Sequence, residues 1–353
     1  MSLLFSPLTI RELTLKNRLV VSPMCQYSSV DGFADNWHLV HLGSRAVGGA
    51  AVILTEATAV SPEGRISPGD LGIWKDEHVP FLKNITDFIH HNGSIAGVQL
   101  AHAGRKASSL SSWEGGHPLT EEQGAWQTFS ASAIPFKPEQ PIPIELDQAG
   151  IDKVVSDFKA AAVRSLDAGF KIIEIHAAHG YLINQFLSPL SNRRTDVYGG
   201  RFENRIRILL DIVKEVRTIW PLTLPVFVRI SATEYAEGGW TIEDSVALST
   251  VLKHMEVDVI DCSSGGNTAN VRIPLKPGYQ VPFAEKIKKD TTILTAAVGL
   301  ITQAQQAEDI LADGQADLIV IAREFLRDPY FPLHAAKALG VEIDWPLQYQ
   351  RAK

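Results

Sequence analysis

Read as hydrophobic and polar positions, the chain resolves into short apolar runs separated by longer amphipathic stretches. Eight runs stand out: LVVSPM (19–24), AVILTEA (51–57), SIAGVQL (94–100), KIIEIHA (171–177), VFVRIS (226–231), DVIDCSS (258–264), TILTAAV (292–298) and DLIVIAR (317–323). None alternates cleanly, the pattern expected of parallel strands covered on both faces. The clearest helical spacing is in RFENRIRILLDIVKEVRTIW, where Phe202, Ile206, Leu209, Leu210, Val213, Val216 and Trp220 share one face. Further helices are predicted near 36–48, 77–91, 148–167, 242–254, 302–313 and 329–339.

Eight strands alternating with helices predict an α/β fold, a closed (β/α)8 TIM barrel. A doubly wound sheet is the alternative, but no G-x-G-x-x-G follows any strand and no G-x-x-x-x-G-K-[ST] loop occurs. The reading is therefore one barrel domain over 1–353. Within it, 104–147 is rich in Ser, Gly, Pro and Trp and too long for a plain connection between strands three and four. It is expected to be a lid-like insertion over the site.

Composition narrows the function classes. The 353 residues are 45% apolar and 21% charged, with a net charge of −7. That balance describes a globular chain and argues against a nucleic-acid or anionic-membrane binder, which needs a basic face. Small-molecule partners fit better. Only Cys25 and Cys262 are present, so neither a disulfide scaffold nor a four-cysteine iron–sulfur or zinc site can form within the chain. The start lacks a secretory pattern and no apolar stretch reaches membrane-spanning length, so a cytoplasmic location is expected.

Polar residues then recur near the carboxyl ends of the apolar runs, where a barrel carries its active site: Gln99, Glu174, His176, Arg229 and Arg323. For a lone Gln or His, a satisfied core polar group is the simpler explanation. Arg229 inside VFVRIS needs an acidic neighbour or an electron-rich ligand, and Glu174 is the first candidate. Gly299, Ala322 and Arg323 follow strands seven and eight, the usual phosphate cradle of these barrels.

In EIHAAHGYL, His176 and His179 lie three apart, with Tyr181 two further on. As metal ligands they need a third partner such as His102 or Glu174, and no metal-ligand spacing is present, so no metal is expected. As neutral imidazoles they can both donate to one carbonyl oxygen, with Tyr181 as a general acid. Spacing alone also allows surface histidines beside a packed tyrosine.

The segment FLSPLSNRRTDVYGGRFENR (186–205) is similar to the signature of the old yellow enzyme family of FMN-dependent ene-reductases. SPMCQYS (22–28), QLAHAGRK (99–106), HAAHGY (176–181) and QYQR (348–351) resemble its thermophilic-like subgroup with an active-site cysteine. The resemblance covers almost the whole chain and implies a (β/α)8 barrel. By residue it implies that Ser22, Pro23, Met24 and Cys25 line the flavin, with the Cys25 thiol near the O4/N5 edge. It places Ala57 and Gln99 on the ring, Arg229 at N1/O2, and Ala322 and Arg323 at the phosphate. His176 and His179 hold the substrate carbonyl, Tyr181 protonates Cα, and Tyr27 lines the pocket. Arg351 enters a neighbouring subunit's site, implying a homodimer or homotetramer.

Two positions depart from that pattern. Ala322 replaces a glycine, and Val298 stands where some relatives carry a bulky aromatic, which predicts altered phosphate geometry and a wider pocket. The implied activity is NADPH-dependent reduction of the activated C=C bond of enones. Dienoyl-CoA reductase and trimethylamine dehydrogenase relatives need a cysteine cluster and extra domains that this chain does not offer. A metal-dependent barrel hydrolase and a non-catalytic flavin-binding protein are the remaining alternatives.

Overall fold

The computed structural model describes residues 2–353. Eight parallel strands close into a barrel: β1 (Leu19–Val21), β2 (Val52–Ala59), β3 (Ile95–Ala101), β4 (Ile172–Ala177), β5 (Val226–Ser231), β6 (Val259–Ser263), β7 (Leu294–Ala297) and β8 (Leu318–Ile321). Each starts within one predicted apolar run; β2 ends two residues and β3 one residue beyond it. β8 pairs with β1 through Ile319 and Leu19, which completes the ring.

The outward residues of the strands, such as Ile53, Val98, Ile175, Val228 and Ile260, join the large core beneath the helices. The inward residues near the amino ends form a second cluster that includes Val20, Leu54, Ile172, Phe227, Val259 and Leu318. Leu8–Ile10 and Leu13–Leu15 form an antiparallel hairpin, absent from the sequence reading, whose Ile10 and Leu15 belong to this inner cluster. The barrel interior is thus filled with side chains at one end.

Toward the carboxyl ends the inward rows turn polar. β4 presents Ile172, Glu174 and His176, β5 presents Phe227, Arg229 and Ser231, and β6 presents Val259, Asp261 and Ser263. Both faces are apolar only at the amino ends, which is why no strand showed clean alternation. In β2 the register against β3 shifts between Leu54 and Ala57, a bulge that places Ala57 opposite Gln99.

The helices at Asn36–Val47, Gln148–Asp167 and Ile242–His254 start at Asp35, Asp147 and Thr241, whose side chains accept hydrogen bonds from first-turn N–H groups. The long helix expected over 202–220 is divided into Phe202–Arg205 and Arg207–Arg217. Val281–Thr291, outside the predicted helices, lies between β6 and β7. Its lysine-rich sequence follows a Pro- and Gly-containing loop, so its apolar face is narrow.

The excursion between β3 and β4 contains short helical turns and a two-residue strand pair, Phe129–Ser130 with Ile144–Glu145. It is pinned by arginines. Buried Arg194 donates from Nη1 to the carbonyls of Ala131 at 3.0 Å and Leu146 at 2.6 Å, while its Nε bonds Asp196. Arg105 Nη1 donates to Ile134 O at 3.2 Å. Asn192 donates to the carbonyls of Phe186 and Tyr198, both at 2.7 Å. The 186–205 signature therefore shapes the loops and holds the excursion down.

Arg194→Ala leaves those buried carbonyls without their donor and is expected to lower stability by about 2 kcal/mol. Denaturant unfolding, with limited proteolysis of the excursion, measures this; a variant as stable and protease-resistant as the parent would contradict the anchoring role.

Candidate active site

At the carboxyl end of the barrel lie two hollows. The larger, about 510 Å³, lies under the excursion and is lined by Tyr27, Arg105, Lys106, Phe136 and Tyr181 among others. The smaller, about 290 Å³, runs over the ends of β5 to β8 and is lined by Ser22, Pro23, His179, Arg229, Gly299, Ala322 and Arg323. His179 borders one hollow and Tyr181 the other, so EIHAAHGYL forms the divide between them.

Arg229 is buried in the barrel interior, and its carboxylate partner is not the one expected from sequence. Its Nε lies 3.2 Å from Asp261 Oδ2 on β6, while Nη2 donates to Ser22 Oγ at 3.2 Å. Glu174 instead accepts from Gln99 Nε2 at 2.7 Å. The reason is registry: Arg229 is directly opposite Asp261, and Glu174 directly opposite Gln99. Burial first, and then the nearby Asp261 charge, push the Glu174 carboxyl up to about 8. Asp261 is also raised by burial. Glu174 is accordingly protonated at neutral pH, which leaves one carboxylate facing one guanidinium. Arg229 Nε still makes no hydrogen bond among the described residues.

His176 and His179 converge. His176 Nε2 and His179 Nδ1 are 3.4 Å apart, close enough for one oxygen to contact both. His176 Nδ1 accepts from Ala178 N–H at 3.2 Å, which leaves the proton on Nε2. His179 Nε2 lies 2.6 Å from Ser263 Oγ, and which of the two donates sets the His179 tautomer. Burial, reinforced by the positive charges of Arg229 and Lys106, holds both imidazoles well below the ordinary histidine range. Both rings are neutral at physiological pH, each with a single N–H.

Tyr181 sits with its ring 5.0 Å from that of His176, at a near-perpendicular 83°. Burial, then the neighbouring Cys25, Tyr27 and Asp70, raise its phenol well above the usual range, so it keeps its proton. Tyr27 lines the larger hollow and meets Trp113 of the excursion edge-on at 5.4 Å. Half-buried Cys25 lies in the same group, and burial, with Asp70 and Glu56, keeps it a neutral thiol.

The smaller hollow suits an elongated anion with a polar ring. At one end Arg229 offers a buried cation with an orphan N–H. At the other, exposed Arg323 has no hydrogen bond or ion pair from its side chain among the described residues. Gly299 adopts φ +130, and a Cβ there would lie 3.1 Å from Gln280 Nε2 and the Tyr279 ring, so glycine keeps the cleft open. Ala322 has φ −105, a value that does not demand the glycine of the family pattern. Val298 lines this smaller hollow and not the one beneath the excursion.

His102, considered as a third metal ligand, is buried elsewhere, with Glu63 and Lys153 the charges that act on it. Among the described residues no group of three or more His, Cys, Asp or Glu side chains could hold an ion. Arg351 is exposed in the turn Leu347–Ala352 and lines neither hollow of its own chain. No helix among the described residues is long and apolar enough to cross a membrane.

The family described as NADH:flavin oxidoreductase / NADH oxidase matches residues 3–342. The chain belongs to this family, the old yellow enzymes. The NADPH dehydrogenase of Listeria innocua serovar 6a is 50% identical to this flavin oxidoreductase over 354 residues, spanning 100% of this chain and 99% of the relative. The NADPH dehydrogenase of Listeria monocytogenes serotype 4a matches it equally, at 50% identity and the same coverage. Among solved structures, morphinone reductase superposes with a TM-score of 0.79 at 27% identity, covering 98% of this chain and 91% of that one. Morphinone reductase has also been solved with tetrahydroNAD. Histamine dehydrogenase from Rhizobium sp. 4-9 gives a TM-score of 0.81 at 26% identity, with this chain spanning 48% of it. This flavin oxidoreductase uses FMN and takes its electrons from a reduced nicotinamide.

Sequence reasoning missed Asp261, Ser263, Gln280 and Lys106. Asp261 and Ser263 carried a signal, since DVIDCSS interrupts an apolar run with an acid as VFVRIS does with a base. Lys106 stands inside QLAHAGRK, where the sequence assigns it no role.

Because His176 and His179 are neutral when folded and ordinary when unfolded, the unfolded chain binds more protons below about pH 6.5. These two groups therefore subtract stability as pH falls through that value. Ring 15N spectra at pH 6 should show both imidazoles neutral; a protonated ring at that pH would contradict the assigned electrostatics.

Proposed function

We propose that this flavin oxidoreductase is an ene-reductase, reducing the activated C=C bond of α,β-unsaturated carbonyl compounds with NADPH as reductant. The observation that carries the reading is the convergence of two neutral imidazole donors beside a protonated phenol, above a buried guanidinium. FMN, when bound, accepts hydride from the nicotinamide and supplies it to the substrate Cβ. The residues of the chain do the rest.

Arg323 and Gly299, with the backbone at Ala322, hold the phosphate. Ser22 to Cys25, Ala57 and Gln99 border the ring, and Arg229 places positive charge where reduction adds negative charge. Negative charge on the ligand there answers the cost of burying a cation, which Asp261 alone leaves partly unmet. His176 Nε2–H and His179 Nδ1–H donate to the substrate carbonyl oxygen, stabilising the charge that develops on it as hydride arrives. Their neutrality leaves the hydrogen bonds available without a competing acid. Tyr181 gives its proton to Cα, and Tyr27 closes the side of the pocket toward the excursion.

The excursion over 104–147 acts as a lid within the single barrel domain. The absence of a dinucleotide fingerprint fits a nicotinamide and an enone that take turns over one face of the flavin. The exposed C-terminal turn, with Leu347 85% exposed and Arg351 free of its own site, fits a homodimer or homotetramer in which Arg351 completes the partner's pocket.

Purified protein should show a flavin spectrum and oxidise NADPH in the presence of 2-cyclohexenone; a colourless protein that FMN cannot reconstitute would refute the proposal. Tyr181→Phe should slow enone reduction by roughly 10² to 10⁴-fold while flavin reduction by NADPH is largely retained, as read by stopped-flow absorbance. Equal loss in both half-reactions contradicts the acid role. Truncation before Gln348 should raise the KM for enone, and an unchanged KM removes Arg351 from the site.

A further inference from the structure

His179 holds a backbone that a non-glycine residue adopts only under constraint, with φ +59. Its N–H donates to Ser231 Oγ at 2.8 Å and its ring meets Ser263, but neither contact fixes its carbonyl. The carbonyl is met instead from the turn Gly104–Lys106 after β3. There Lys106 Nζ donates to His179 O at 2.9 Å and to Gly266 O at 3.0 Å.

These two carbonyls belong to the loops after β4 and β6, which touch backbone to backbone. A Cβ on Gly180 would lie 2.3 Å from Gly266 O, and one on Gly266 would lie 2.6 Å from His179 Cα. Two glycines thus allow the approach, and the lysine bridges it. Lys106 has no ion pair with any carboxylate among the described residues, and Arg105 is the one charge that acts on it. It is enclosed by the Phe136 ring at 4.5 Å and the Tyr181 ring at 5.2 Å. Burial, with Arg105 nearby, lowers it to about 8.

A half-buried lysine whose ammonium sits between two aromatic rings without a counter-charge is uncommon where only packing is required, because desolvating the ammonium is unfavourable. Here its hydrogen bonds hold two functional loops in register. We propose that Lys106 is the positioning residue of the carbonyl clamp, tying the β4 and β6 loops together so that His179 Nδ1 stands opposite His176 Nε2. The proposal rests on the reading of His176 and His179 as that clamp. Phe136 makes it depend on the excursion as well, since that ring covers the ammonium.

The test is titration of FMN-loaded protein with 4-hydroxybenzaldehyde, read by the long-wavelength charge-transfer band that a phenol gives against flavin. Lys106→Met should weaken phenol binding at least tenfold, with Lys106→Arg recovering it to within about threefold of the parent. Such recovery distinguishes donation to the two carbonyls from simple filling of space. His176→Ala is run beside them. If His176→Ala loses binding while Lys106→Met stays within twofold of the parent, the positioning role is overturned and the clamp survives. If both bind as the parent does, the clamp itself fails and the proposal with it. Should Lys106→Met not load FMN, Lys106→Gln, which keeps a neutral donor of shorter reach, is read by the same criteria.

Discussion

A guanidinium inside a closed barrel must be answered by negative charge, and Arg229 sets that constraint for the whole site. Asp261 on the adjacent strand supplies one carboxylate, and Glu174 avoids adding a second by keeping its proton. The interior is left with a cation whose Nε has no hydrogen-bond partner among the described residues and which opens onto a cleft. A flavin that gains negative charge on reduction is the ligand such an interior favours. Burial, reinforced by the same positive charge, also keeps His176 and His179 neutral, so one buried arginine bears on both the cleft and the histidine pair.

Geometry follows from how the strands end. Inward positions change from apolar to charged to small and polar along β4, β5 and β6, so the packed end and the reactive end of the barrel are written in the same strands. The loops beyond those strands are then locked by backbone contact at Gly180 and Gly266 and by arginines that fasten the excursion. Arg194 and Asn192, in the segment most diagnostic of the family, touch neither hollow's chemistry; they fix the roof and the turns beneath it.

Much of this was legible in the sequence, for physical reasons. Parallel strands buried on both faces read as continuous apolar runs, so all eight appeared with near-correct bounds. The histidine pair, Tyr181 and Arg229 stood out because polar groups inside such runs need a cause. What sequence could not reveal was registry. Glu174 and Asp261 are equally plausible partners for Arg229 until strand pairing sets one opposite it, and Ala57 reaches the Gln99 row only through a bulge. The hairpin at 8–15 was too short for a periodic signal, and helix 281–291 presented too narrow an apolar face. Lys106 was hidden because its partners are backbone carbonyls, which no side-chain pattern records.

The central claim is that hydride and proton reach the two carbons of the enone from different sources, the reductant and a tyrosine that exchanges with water. It is tested most directly by reducing 2-cyclohexenone with unlabelled NADPH in D2O, at neutral pH and for short times, and locating deuterium in the product by NMR. The account predicts deuterium at Cα and protium at Cβ. Deuterium at Cβ, or NADPH oxidised while the enone remains unchanged, would contradict it.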